Sequence, residues 1–193
     1  MKNKLAYFYV LLFLAFSCTN KERLTELEIY TFLEICYEDY YFNYDLEITP
    51  LLEDFEQQLI KEGHLKDSTG IAYKELLKKL ESETFFSLPL NKEGFNEVAL
   101  YKNPSQIIDC AYNTFSIDSA LVLNTRFSQV SHRINQKIEE DEEISIHYFF
   151  NTYRNQLSPK EIKMPYIKQT ILLTLYRWYY KSAIEHELKS SSK

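Results

Sequence analysis

Three glycines in 193 residues set the first limit on what this chain can fold into. Backbone that must turn to positive φ or press close to a ligand generally uses glycine, which carries no Cβ. Glycine-rich phosphate cradles are therefore scarce here, which counts against nucleotide-binding folds. The rings work the other way. Sixteen Tyr and thirteen Phe bring the aromatic share to 16%, and rings of this size bury large areas, so the core should be aromatic-rich. The charged share of 26% is ordinary and argues against extensive disorder.

The first eighteen residues form a separate unit. Lys2 and Lys4 give a positive start, and Leu5 to Ser17 is an almost unbroken apolar run ended by Cys18. That run is well under the ~20 residues a membrane-spanning helix needs. A basic start, a short apolar core and small residues before a cut mark a secretory signal. Leu14-Ala15-Phe16-Ser17-Cys18 resembles a bacterial lipobox, in which Cys18 would be lipidated after the cut. Ala15-Phe16-Ser17 would also serve as an ordinary cleavage site, so plain secretion stays open. Thr19 stands where an Asp would retain an inner-membrane lipoprotein, so the resemblance implies the outer membrane, at its periplasmic face or the cell surface. The expected division is 1–17 signal peptide, 18–24 lipidated tether, 25–188 a single domain and 189–193 a disordered tail.

Removing residues 1–17 leaves 176, enough for one ordinary domain with a real core. Two lysines leave with the signal, so the formal charge moves from −6 to −8. An acidic chain repels phosphates, and no basic stripe with interleaved aromatics appears, so nucleic acid is not expected as a partner. If Cys18 carries lipid, Cys36 and Cys110 remain. In an oxidising compartment they could form one disulfide; two buried free thiols is the equal alternative.

Periodicity predicts a mainly helical α+β domain of six to seven helices with two or three short strands. Thr25 and Glu28 fit a capping box for a helix reaching about Tyr44. Thr49 as N-cap and Pro50 at the first helical position predict a second helix, ended by Gly63. A third is expected over about 71–83. Residues 85–89 read as a short strand or an extended link, and 98–101 as a second short strand. Pro104 opens a helix through Phe115, Asp118 or Ser119 caps another over about 119–139, and a further helix fits 144–156. Ser158-Pro159 is a start signal, and Pro165 interrupts the segment it starts. Residues 167–184 fit either a helix or a strand buried on both faces, with length favouring the helix.

The chemistry-bearing residues give no catalytic constellation. His64, His132, His147 and His186 do not pair at metal-ligand spacing, no nucleophile elbow occurs, and neither cofactor nor metal is expected. The acidic run 139–143 lacks the glycine-assisted turn typical of calcium loops and reads as helix-end charge. Tyr37, Tyr40, Tyr41 and Tyr44 fall on one helical face; this is either a core stripe or an exposed aromatic platform. Trp178 reads as the main anchor of a central packing element, or, with Arg177 and Tyr180, as an exposed interaction hot spot.

With its leader, the chain resembles flavobacterial-type lipoproteins of the Bacteroidetes. The stretch Leu59-Ile60-Lys61-Glu62-Gly63-His64-Leu65-Lys66-Asp67-Ser68-Thr69-Gly70, with Tyr73, resembles a segment of small biopolymer-transporter D-like proteins. The lipid-type leader stands where those transporters have a spanning anchor, so their energy-coupling role is not implied. What the leader implies is a lipid-anchored cell-envelope protein, tied to the membrane through its N-terminus. The expected role is a non-enzymatic protein-interaction or structural module with an envelope protein as partner. The alternative is a small-ligand or glycan-binding lipoprotein using an aromatic cleft.

Overall fold

The computed structural model describes residues 24–43, 46–80, 104–140 and 146–191, the last helix by its backbone alone beyond Tyr179. Among these residues there are nine helices and no strand. The α+β expectation is therefore overturned, and the segments expected as strands, 85–89 and 98–101, lie outside the described residues. In chain order the helices are α1 (Glu26–Phe42), α2 (Ile48–Lys61), α3 (Gly70–Lys79), α4 (Pro104–Phe115), α5 (Ser119–Leu123), α6 (Arg126–Glu140), α7 (Ile146–Gln156), α8 (Pro159–Ile162) and α9 (Pro165–Ser191).

Local chemistry sets most of the helix starts. The Thr25 hydroxyl accepts from the Glu28 N–H at 3.3 Å, and the Glu28 carboxylate accepts from the Thr25 N–H at 2.7 Å. Those bonds to Thr25 hold the Glu28 carboxyl below its ordinary pKa. Ser158 and Glu161 form the same reciprocal box at α8, with Pro159 at the first helical position. Asp118 caps α5 through the Ala120 N–H at 2.8 Å. At the end of α2, Gly63 takes φ +75° and the N–H groups of His64 and Leu65 both return to the Leu59 carbonyl.

Two boundaries differ from the sequence reading. α2 starts at Ile48, and Thr49 does not cap it. The Thr49 hydroxyl is engaged elsewhere, donating to Glu38 of α1 at 2.7 Å and accepting from Gln169 of α9 at 2.9 Å. The expected helix over 119–139 is cut in two near Asn124, because Thr125 begins a new start. Its hydroxyl accepts from the Ser128 N–H at 3.3 Å. The first N–H groups of α6 are then satisfied by α1: that of Arg126 donates to Glu26, and that of Phe127 to the Tyr30 hydroxyl at 3.2 Å. A helix start that finds acceptors on a neighbour no longer needs its own preceding turn.

Helix α9 organises the packing. It lies against α1, α2 and α8, while α1 also meets α4, and α3 meets α7 and α8. Ile167, Ile171, Leu172, Leu173, Leu175, Tyr176 and Tyr179 are all buried. Burial on nearly every side explains why no apolar stripe stands out in this segment. A strand of the same composition would need partners on both edges; the helix satisfies its backbone internally. It also continues to Ser191, into residues where the sequence predicts a disordered tail.

The start of α3 is packed tightly against α8. A Cβ placed on Gly70 would stand 1.8 Å from the carbonyl oxygen of Pro159. Cys36 of α1 and Cys110 of α4 are joined by a disulfide across 74 residues of sequence.

Candidate functional site

The tyrosine stripe of α1 faces inward. Tyr37, Tyr40 and Tyr41 are buried core residues, and Tyr44 lies outside the described residues. Tyr37 packs edge-on against Tyr41 and Tyr166, with centroids 4.9 and 5.9 Å away. Burial raises the Tyr37 and Tyr41 hydroxyls above the ordinary tyrosine pKa. The exposed-platform reading of Tyr37, Tyr40 and Tyr41 is therefore corrected: helical periodicity placed them on one face, and α9 packs against that face.

On α9, Arg177 and Trp178 are half-buried, and the side chain of Tyr180 is outside the described set. The Trp178 ring meets Phe150 at 5.7 Å and Tyr179 at 5.5 Å. Tyr176 and Tyr179, buried against Phe55 of α2, anchor this stretch more deeply than Trp178 does. Cys18 lies outside the described residues, as does most of the acidic run 139–143.

A buried polar centre joins α2, α3 and α9. The Glu56 carboxylate accepts from the Tyr73 hydroxyl at 2.7 Å and from the Lys168 ammonium at 2.9 Å. In this centre Glu56 is 3% exposed and the Lys168 side chain 22%. Its chemistry is structural: a charge taken from water is matched by a cation and a hydroxyl. The His147 ring donates to the Leu80 carbonyl at 2.5 Å and packs near Trp178. Among the described residues no group of three or more His, Cys, Asp or Glu could hold a metal ion.

An open groove of about 410 Å³ lies where α1 ends and α2 begins. One wall is the outer face of α1: Ile35, Glu38, Asp39 and Phe42, at helical spacing i, i+3, i+4 and i+7. Leu46, Glu47, Ile48, Thr49 and Pro50 complete it. Phe42 is 70% exposed and Ile35 47%, unusual for large apolar side chains on one stripe. Among the described residues the lining carries three carboxylates and no cation. Asp39 adds charge in the last turn of α1, which holds no basic residue to offset the negative helix end. Next to this wall, partial burial and then the charge of Glu38 raise the Glu34 carboxyl above its ordinary pKa, with Lys168 opposing. A second depression, of about 330 Å³, lies among α3, α7 and the start of α8, with Lys74, Lys78 and Arg154 on its walls.

Sequence reasoning missed the groove. Its signal was present in α1, where apolar residues exceed one face: Ile35 and Phe42 stand seven residues apart on the side opposite the tyrosines. No family model, no curated protein and no solved structure matches the chain.

Proposed function

We propose that this is a lipid-anchored cell-envelope protein that binds another protein through the groove at the α1–α2 corner. The observation that carries the reading is the exposed stripe Ile35–Phe42 with an open groove beside it. Exposed apolar side chains interleaved with charge beside an open groove are a composition that protein contacts use. The anchor rests on the leader and Cys18, and no described helix is long and apolar enough to cross a membrane. The Cys36–Cys110 disulfide agrees with export to an oxidising compartment. A glycan-binding cleft has less support, because Tyr37, Tyr40 and Tyr41 are packed in the core.

The test places a photo-crosslinking residue at Phe42 or Ile35, and at Glu62 as a control, in the cells that make the protein. A discrete protein adduct from the groove positions alone is expected, in the membrane fraction. Cys18→Ser should move the protein to the soluble fraction. Identical adducts from Glu62, or none from the groove, would refute the binding site; equal fractionation of both forms would refute the anchor.

A further inference from the structure

We infer that the partner segment which the groove accepts is a basic amphipathic helix, with two apolar side chains about two turns apart and Lys or Arg between them. The inference rests on the protein-binding reading above and specifies the chemistry of the partner.

The groove wall supplies the template. Ile35 and Phe42 stand seven residues apart on α1, a separation of roughly 10 Å along the axis. Glu38 and Asp39 lie between them, and Glu47 faces them from the link to α2. A helix laid along this wall would present apolar anchors at i and i+7 to the two apolar ends, the spacing by which helices enter grooves. Its intervening positions would meet carboxylates, which favour Lys or Arg and repel Asp, Glu or phosphate. Acidic segments, nucleic acids and anionic lipid headgroups are therefore the wrong occupants.

The central carboxylate is pre-positioned. Glu38 Oε1 accepts from the Thr49 hydroxyl, and Thr49 is in turn held by the amide of Gln169, a residue only 5% exposed. A carboxylate has room for further donors beyond that one bond, so Glu38 can receive a cation while its orientation stays fixed from below. The formal charge, −6 for the whole chain and −8 without residues 1–17, adds long-range attraction for a basic partner.

The probe is a blocked, alanine-based helical peptide with leucines seven residues apart and two lysines between them. Its twin carries glutamates in place of the lysines. Each is titrated by fluorescence anisotropy against the full oxidised chain in non-ionic detergent, with detergent alone as blank. The lysine peptide should bind one-to-one and saturably, and the glutamate twin should not bind. Asp39→Lys with Glu47→Lys should weaken binding at least tenfold. So should Phe42→Ser, an exposed position whose replacement leaves the core untouched. Glu62→Lys with Glu75→Lys makes the same change in net charge at exposed positions outside the groove lining and should leave affinity within threefold. Helical circular dichroism confirms that each variant is folded. Equal weakening by the two charge-reversed pairs, binding of the glutamate twin, or no saturable binding would overturn the inference. If the groove instead crosslinks to a protein whose contact segment has no Lys or Arg, the binding site stands and the basic-helix inference falls.

Discussion

Single residues of the same type do different work here, and the two described glycines show it. Gly63 sits at φ +75° with open space where a Cβ would go, so its requirement is conformational. An alanine there should cost about 1 kcal/mol, the usual penalty for a left-handed L-residue. Gly70 has an ordinary backbone, and its requirement is the Pro159 carbonyl that a Cβ would strike. In an isolated helix, alanine at Gly70 would improve propensity. In this fold it must push α8 from α3, and overpacking of that kind costs about 1–3 kcal/mol. Gly70→Ala should therefore be at least as damaging as Gly63→Ala, as read from chemical denaturation at equal protein concentration. A stabilised Gly70→Ala would mean that the two helix starts are not in contact.

Among the elements, α9 is held in register by polar links as well as by packing. Lys168 reaches Glu56 and Gln169 reaches Thr49, both across to α2. Removing one member of a buried ion pair leaves the other charge without compensation. Lys168→Met should thus destabilise the protein by about 3 kcal/mol, at the low end for such pairs because Tyr73 still donates to Glu56. Adding Glu56→Gln should recover part of that loss, since the stranded charge is gone. A double-mutant cycle of denaturation midpoints measures the difference, and strict additivity would show that the pair is not coupled. The other link between elements is covalent. Closing a loop of the length between Cys36 and Cys110 contributes roughly 4 kcal/mol in the chain-entropy model. Reduction should lower the melting temperature by about 10 °C for a domain of this size. Alkylation and intact mass before and after reductant verify that the two thiols become available together.

For the whole molecule, the distinctive quantity is the amount of phenol in the core. Among the described residues seven tyrosines have pKa values raised, chiefly by burial, with Tyr30 pushed up to about 12. Folded tyrosines stay neutral where unfolded ones ionise near pH 10. The unfolded state then loses protons that the folded state keeps, so stability is complete below about pH 10 and falls as the pH rises toward 12. Tyrosinate absorbance should rise over the same pH interval in which helical circular dichroism falls. Gradual ionisation with the helix signal intact would contradict the aromatic core.

The amino-acid sequence by itself determined what depends on neighbours along the chain. Thr25 with Glu28, Ser158 with Pro159 and Glu161, Asp118 and Gly63 mark helix ends because their hydrogen bonds close within a few residues. The disulfide partners were legible as a pair because only Cys36 and Cys110 remain once Cys18 is set aside, although pairing and free thiols were equal alternatives. Tertiary structure decided whatever depends on which face meets a neighbour. Tyr37, Tyr40 and Tyr41 could have served as an outward platform until α9 covered them. Thr49 looked like a cap until Glu38 and Gln169 claimed its hydroxyl. Residues 167–184 read as strand or helix because apolar residues all round carry no period, and burial on nearly every side produces that pattern. The groove belongs to the same class: Ile35 and Phe42 are ordinary apolar residues in the sequence, and they come to line an open groove only because the opposite face of α1 is the one the core takes.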